Sequence, residues 1–380
     1  MTHNPKMTAP AEVVTLAYED LLGAPSAATQ SAISRGFGPS GLGLVLVTGV
    51  PGYPALRAAA LPHAHAFATQ PAPVLSRYEH APSSYSFGWS RGRESFGGVL
   101  DVAKGSFYFN PLHDAPCAGS PAAADPALAP FYHPNVWPAP GDAAPGFEAA
   151  LKALGAAMVA VGGVLSAHVD AFVAARLREL GRPPPPAART LQAVVTGSRT
   201  PKARLLYYFP AGADASAEGG GGGGPPEGAW CGAHNDHGSL NALTSALFFD
   251  DASGAVVPCP DPAAGLYIFS RAGVPVKVAI PPDALAFQIG ETAQVASGGA
   301  LRATPHFVRA PAAAGVSRGT LAVFMEPEHG DSVDVPEGAD VGAVLEGDAS
   351  LPRGVPPLGQ RWAPGDTFAA FTKKTLAAYY

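Results

Sequence analysis

The chain has 380 residues, of which 47% are hydrophobic, 9% aromatic and only 14% charged, with 45 glycines, 41 prolines and a formal net charge of −6. A typical soluble domain carries ~25% charged residues, so Ala, Gly and Pro stand where charges usually do. That composition excludes collagen, coiled coil and a wholly disordered chain, and an acidic balance without a basic stripe offers nucleic acid no binding face.

Met1–Pro10 is polar and lacks the apolar run of a secretory signal. Thr15–Gly23 reads as a short polar-apolar segment and Ala27–Gly36 as a weak helix. Gly43–Thr48 is a compact β-type run closed by the turn Gly49–Gly52, and a helix is expected from Pro54 to Ala68. Pro71–Trp137 is irregular and rich in aromatics, Pro, Ser and Gly; so long a loop-like region implies a functional or packed cover. Its Tyr85, Phe87, Trp89, Phe107, Tyr108 and Phe109 fit core packing better than recognition.

The clearest helix runs from Gly146 to Leu180. Apolar residues on nearly all its faces from Leu151 to Val164 predict a buried core helix, Glu148 and Lys152 pair at its start, and Gly181 with Pro183–Pro186 ends it. Its longest uncharged stretch, Ala153–Ala167, is shorter than the ~18 residues of a membrane span. Short apolar runs follow: Leu191–Val195, Arg204–Phe209, Gly238–Phe249, Gly265–Ile268, Val274–Ile280, Ala284–Ile289, Gln294–Ala296, Ala303–Val308 and Thr320–Phe324. Many short strands at close spacing predict a β-barrel or sandwich, with Gly219–Gly224 as a flexible insertion. Cys117, Cys231 and Cys259 are too far apart and too few for a disulfide framework, which suits a reducing compartment. The expectation is a soluble, intracellular, cytoplasmic protein without membrane contact.

Ala233-His234-Asn235-Asp236-His237-Gly238-Ser239-Leu240 is the most informative segment. On a strand, residues two apart share a face, so His234 and Asp236 project together and supply two of the three ligands of a 2-His-1-carboxylate triad. His306, in another short strand, is the best third ligand. His237 should face away as a structural residue, His63 and His65 should be solvated, and His168 buried or capping. An isolated His-x-Asp is a weak signal.

The surrounding pattern strengthens it. His234, Asp236, Gly238 and Leu240, then His306, then Arg318-Gly319-Thr320, resemble the HxDxG…L strand and distal His with Arg-x-Ser of the isopenicillin N synthase-like 2-oxoglutarate/Fe(II)-dependent oxygenases. Arg204–Pro210 is similar to that family's R-x-N-x-Y-P strand, and Phe287–Glu291 to its N-I-G-D turn, with Ser297-Gly298-Gly299 before the distal-His strand. In the N-terminal half, Phe37–Gly43, Thr48–Gly52 and Lys104–Pro111 resemble plant and algal members of uncharacterised substrate, as does the C-terminal Arg361-Trp362…Tyr379-Tyr380. Leu206 stands where the family has a cosubstrate-binding Asn, and Thr320 replaces the Ser. Asp250–Ala263 accounts for a long His234–His306 spacing as an enlarged loop.

The resemblance implies an α+β protein built on a distorted double-stranded β-helix, jelly-roll or cupin-like, with an N-terminal mixed cover at 1–145, a supporting helix at 146–182, the β-helix at 188–345 and a C-terminal segment at 346–380, forming one catalytic unit. It implies Fe(II) held by His234, Asp236 and His306, with 2-oxoglutarate held by Arg318, Thr320 and Tyr208. The reaction would oxidise a small molecule with O2, releasing succinate and CO2. Arg302 and Tyr207 are candidate substrate contacts, with a rim salt bridge an equal reading of Arg302. The alternatives are a 2-oxoglutarate-independent non-haem iron oxidase, to which Leu206 lends weight, and a catalytically silent metal-binding barrel.

Overall fold

A computed structural model describes residues 13–96, 99–116, 128–210 and 229–379. The Gly219–Gly224 run and Cys117 lie outside the described residues. The fold is mixed α+β. Its strands are β1 Thr15–Ala17, β2 Leu44–Thr48, β3 Gly88–Arg91, β4 Ser95–Phe96, β5 Val99–Leu100, β6 Lys104–Phe109, β7 Lys202–Tyr208, β8 Ala229–His234, β9 Leu240–Thr244 and β10 Leu247–Asp250. They continue with β11 Val256–Val257, β12 Gly265–Phe269, β13 Pro275–Val278, β14 Leu285–Ile289, β15 His306–Arg309 and β16 Val316–Met325.

The major sheet runs β1-β2-β14-β9-β16-β7-β6-β3, with β10 paired to β16 and to β11; the minor sheet runs β13-β12-β15-β8. Alternation along each strand divides the core in two. One face of the major sheet, carrying Leu205 and Tyr207 of β7 and Leu321, Val323 and Met325 of β16, packs with helices in the larger apolar cluster. The other face, with Leu206, Tyr208 and Ala322, meets Trp230, Ile268 and Val308 of the minor sheet in a second cluster. A third, Val295, Val344, Leu358, Trp362, Phe368 and Phe371 with Val333, anchors the C-terminal segment.

The long helix Phe147–Glu179 lies where Gly146–Leu180 predicts it, with Leu151, Leu154, Met158, Leu165 and Val169 wholly buried. Glu148 and Lys152 pair at 3.5 Å, and Gly181 follows at φ +69°. It is long and apolar enough to cross a membrane, but its apolar faces are taken by the protein core. Small residues permit the approach: a Cβ on Gly155 would stand 2.6 Å from the Pro111 ring, and one on Gly162 2.6 Å from Met325 Sδ.

Several sequence expectations change. Leu191–Val195 is not a strand but the helix Leu191–Gly197, because Thr190 accepts from the Ala193 N–H and the Asp170 carboxylate accepts from those of Leu191 and Gln192. Gln294–Ala296 likewise belongs to the helix Glu291–Ala296. Gly238–Phe249 is two strands, β9 and β10, and the helix expected over 54–68 breaks into Tyr53–Ala60 and Pro62–Ala68, with Pro62 opening the second piece. The irregular 71–137 region contributes β3 and β6, which extend the major sheet beyond β7. Through these and β2, which pairs with β14, the N-terminal part shares the central sheet rather than only covering it. His63 and His65 are not solvated: His63 is buried edge-on against Phe147, and His65 lies over Phe249 with Nε2 3.2 Å from the Asp251 carbonyl.

Candidate metal centre

β8 ends at His234 and β15 begins at His306, and antiparallel pairing sets these two residues opposite each other. Their ring centroids are 4.3 Å apart. Asp236 lies just past the end of β8 rather than within it; its Oδ1 is 3.7 Å from His234 Nε2 and its Oδ2 3.5 Å from His306 Nε2. One donor atom from each residue falls within 4.8 Å of the other two. Two imidazoles and a carboxylate converging this closely form a donor set for one divalent cation on one coordination face.

Their partners orient the donors. His234 Nδ1 is 2.8 Å from the Gly232 carbonyl, which only accepts, so that nitrogen carries the hydrogen and Nε2 is left bare. His306 Nδ1 meets the Thr304 carbonyl at 3.4 Å and the Gln288 side-chain amide at 2.9 Å. The Gln288 atom that faces the ring is Nε2, which also donates to the Thr304 carbonyl at 3.2 Å, so Gln288 and Thr304 together fix the ring from its Nδ1 side. Burial pushes the His306 imidazole down to about 4, helped by His234 and opposed by Asp236, so the ring is neutral at pH 7. Asn241 of β9 donates to Asp236 Oδ2 at 2.7 Å.

Asn235, between the two ligands, is held from behind. Its backbone N–H donates to Tyr379 Oη at 3.0 Å and its side chain to Glu291 Oε1 at 3.0 Å. Glu291 in turn accepts a two-pronged contact from Arg361 at 2.6 and 2.8 Å, with both side chains about 1% exposed. The Glu291 N–H donates to the Asp236 carbonyl at 2.9 Å. His237 faces away, as expected, and stacks on Phe368. Its burial pushes its pKa down to about 4.

On the major sheet, Arg318 of β16 is opposite Tyr208 of β7, with its guanidinium carbon 5.0 Å from the phenol ring centre. Arg318 is 7% exposed, and its Nε and Nη1 have no hydrogen-bond partner among the described residues. Tyr208 packs on Trp230, four positions before His234 in β8, so the guanidinium belongs to the same inter-sheet space. A buried cation without a counter-charge is costly, and a carboxylate ligand would satisfy it. Leu206 adds only apolar contact there.

Two expected contacts are displaced. Tyr207 points to the helix side of β7, where its hydroxyl binds Asp251; alternation puts it on the face opposite Tyr208. Thr320, expected to share a ligand with Arg318, donates its hydroxyl hydrogen to the Thr244 carbonyl at 3.1 Å. Arg302 lines a separate cavity of about 360 Å3 with Arg271, Glu291 and Glu346, outside the metal triad, and its guanidinium is 3.9 Å from Glu346: the rim pair. The sequence reading missed Asn241, Gln288 and Glu291, although the N-I-G-D-like turn contains two of them. Tyr379 and Arg361 came only as part of a terminal resemblance.

No protein-family model matches the sequence, and no curated protein matches it. Solved structures do. A full-length Neurospora crassa protein crystallised in complex with alpha-KG (2-oxoglutarate) and 5-formyluracil is 15% identical, with a TM-score of 0.64 over 99% of this chain and 98% of that one. JOX2 in complex with 2OG, Fe and JA is 16% identical, with a TM-score of 0.61 over 98% and 87%. A 2OG-Fe(II) oxygenase family protein from Caulobacter crescentus is 18% identical, with a TM-score of 0.64 over 97% and 99%. At these identities the likeness is one of fold, and along nearly its whole length this chain has the fold of proteins crystallised with 2-oxoglutarate and iron.

Proposed function

We propose that the protein is an Fe(II)- and 2-oxoglutarate-dependent oxygenase that oxidises a small organic molecule with O2, releasing succinate and CO2. The observation that carries this reading is the pairing of a converging His234–Asp236–His306 triad with a buried Arg318 on the facing sheet, whose Nε and Nη1 have no hydrogen-bond partner among the described residues. A metal-binding barrel without a second anionic ligand has no use for that arginine. The two sheets are read as the halves of a distorted double-stranded β-helix.

His234, Asp236 and His306 would hold the iron, whose chemistry when bound is to couple decarboxylation of the 2-oxo acid to oxidation of a C–H bond. Held by two imidazole nitrogens and a single carboxylate, a divalent cation would keep a net positive charge that favours the 2-oxo acid's anionic head. Arg318 would pair with its distal carboxylate, a match of planar fork to planar anion. Tyr208 supports that guanidinium from one side through its ring face. The apolar inter-sheet cluster keeps water from both. The fold's likeness to proteins crystallised with these two ligands supports the reading.

The test is succinate release from 2-oxoglutarate in air by the purified protein with Fe(II), alone and with pooled metabolites. Release in the wild type and none in Asp236→Ala is expected. Equal release by the two proteins contradicts the assignment.

A further inference from the structure

Behind the metal loop lies the cavity of about 360 Å3 that neither the metal triad nor Arg318 enters. Asn235 and Glu291, which hold that loop from behind, form its inner wall. Its other walls come from Arg271 in the turn between β12 and β13, from Arg302 four residues before His306, and from the C-terminal segment around Glu346 and Asp348. The volume falls within the ~300–1,000 Å3 of small-molecule sites.

Two guanidiniums line this space. Arg271 is fixed by backbone carbonyls: Nε donates to that of Gly41 at 2.8 Å, Nη1 to that of Ala303 at 3.0 Å and Nη2 to that of Arg302 at 3.2 Å. A guanidinium has five N–H groups, and no described residue accepts the two that remain. The charged group that bears on Arg271 is Arg302, of the same sign; burial and that neighbour push its pKa down to about 10. The Arg302 side chain, 16% exposed, donates to no described residue, and its ion-pair partner Glu346 is 3.9 Å away and 75% exposed. Gly347, at φ +107°, carries the chain close over it: a Cβ there would stand 2.5 Å from Arg302 Nη2.

The other two acids of the cavity are engaged elsewhere. Both Glu291 oxygens are held by Arg361, and Asp348 accepts the Gly359 N–H at 2.8 Å. Two like charges partly removed from water beside one loose, exposed counter-charge are costly unless an anion joins them.

We propose that this cavity is a second ligand site, separate from the metal centre, for a small metabolite whose oxyanion head, carboxylate or phosphate, is bound by Arg302 and Arg271. The planar fork of Arg302 suits either head, and Phe269 and Leu351 in the wall offer the ligand's body apolar contact. Glu346 is the carboxylate that the ligand displaces. Occupancy of the site is independent of the oxygenase reading.

The test uses the whole protein loaded with Zn(II) and one equivalent of 2-oxoglutarate, which fills the metal centre without an excess to compete. Phenyl phosphate, phenylacetate and the uncharged benzyl alcohol are titrated in and followed by saturation-transfer NMR. At least one anion is expected to bind and the alcohol not to, and the better anion tells a phosphate site from a carboxylate site. Arg302→Met keeps the apolar stem and should weaken that anion ~10-fold or more, the loss of a charged hydrogen bond. Glu346→Gln removes the competing carboxylate and should tighten it. Both variants should melt close to wild type without the anion, because the pair they break is loose and exposed. Wild-type affinity in Arg302→Met, weaker binding in Glu346→Gln, or binding of neither anion overturns the site.

Discussion

Arg318 is a guanidinium that folding removes from water with two of its nitrogens unpartnered among the described residues. Replacing such a charge with an apolar side chain of similar volume is often neutral or stabilising by ~1–4 kcal/mol. Arg318→Met should therefore melt as high as wild type or higher without ligands, while 2-oxoglutarate affinity falls by ~1.5–3 kcal/mol, roughly 10- to 150-fold. Calorimetry with and without 2-oxoglutarate checks both halves; a fall in ligand-free stability with affinity retained would make Arg318 structural. The position of this arginine after the distal His was legible as a motif. The Thr320 hydroxyl was not, because its partner Thr244 comes from a strand whose register no single sequence fixes. Tyr207 and Tyr208 show the same limit: adjacent on a strand, they serve opposite faces, and only the sheet decides which face meets the metal.

His329 belongs to this scale as well. It is 2% exposed, stacked on Phe131 with centroids 4.0 Å apart, and its Nδ1 has no partner among the described residues. Burial holds it well below the usual histidine range, with Lys202 and His237 adding to the effect. The unfolded chain takes up this proton near pH 6.5 and the folded one only far below, so the group's stabilising contribution is complete above pH 6.5 and is lost as pH falls. Glu326, with its carboxyl raised to about 7, slopes the other way, favouring the fold at low pH. The difference between wild type and His329→Gln isolates the histidine: urea midpoints of the variant should fall less between pH 7 and 5. An identical slope in the two proteins would contradict the buried neutral ring.

Among elements, the long helix and the C-terminal helix Phe368–Tyr379 do distinct work. The long helix meets its neighbours through glycines. At Gly162 an added methyl meets the flexible end of Met325, and at Gly155 the rigid Pro111 ring. Gly162→Ala should be near neutral, because ~1 kcal/mol of helix propensity offsets a small repacking. Gly155→Ala should destabilise by ~1–3 kcal/mol, as overpacking does; equal denaturation midpoints would deny the difference. The C-terminal helix reaches the metal loop through the Tyr379 hydroxyl and is tied to it by Arg361 and Glu291. Removing Arg361 leaves a buried carboxylate uncompensated, so Arg361→Ala should cost ~3–5 kcal/mol. Tyr379→Phe keeps the ring and should lower Co(II) affinity several-fold with little change in melting. Unchanged Co(II) affinity would mean that the helix does not brace the loop.

For the molecule as a whole, the strong local signals carried over. The helix at 147–179, the run at 44–48 and the strands through 202–208 and 285–289 follow from apolar period and flanking turns. Leu191–Val195 and Gln294–Ala296 are apolar runs too short for their period to be read, and caps or a preceding turn made them helical. The 71–137 region hid two strands of the major sheet because a strand's partners, not its own residues, establish it. His234 and Asp236 were legible as a His-x-Asp pair and His306 only through the surrounding motif pattern, and the donor atoms of all three lie within 4.8 Å of one another. The second layer, Asn241, Gln288 and Glu291, was illegible because common polar residues acquire a role only by position.

The central claim is that one cation and one 2-oxo acid occupy the space bounded by His234, Asp236, His306 and Arg318. Titrating the protein under nitrogen with Fe(II) and then 2-oxoglutarate, and following visible absorbance, tests it directly. A weak charge-transfer band that saturates at one equivalent of each, disappears in His306→Ala and needs far more 2-oxoglutarate in Arg318→Ala is the predicted result. A folded wild-type protein that develops no band, or a band untouched by His306→Ala, would contradict it.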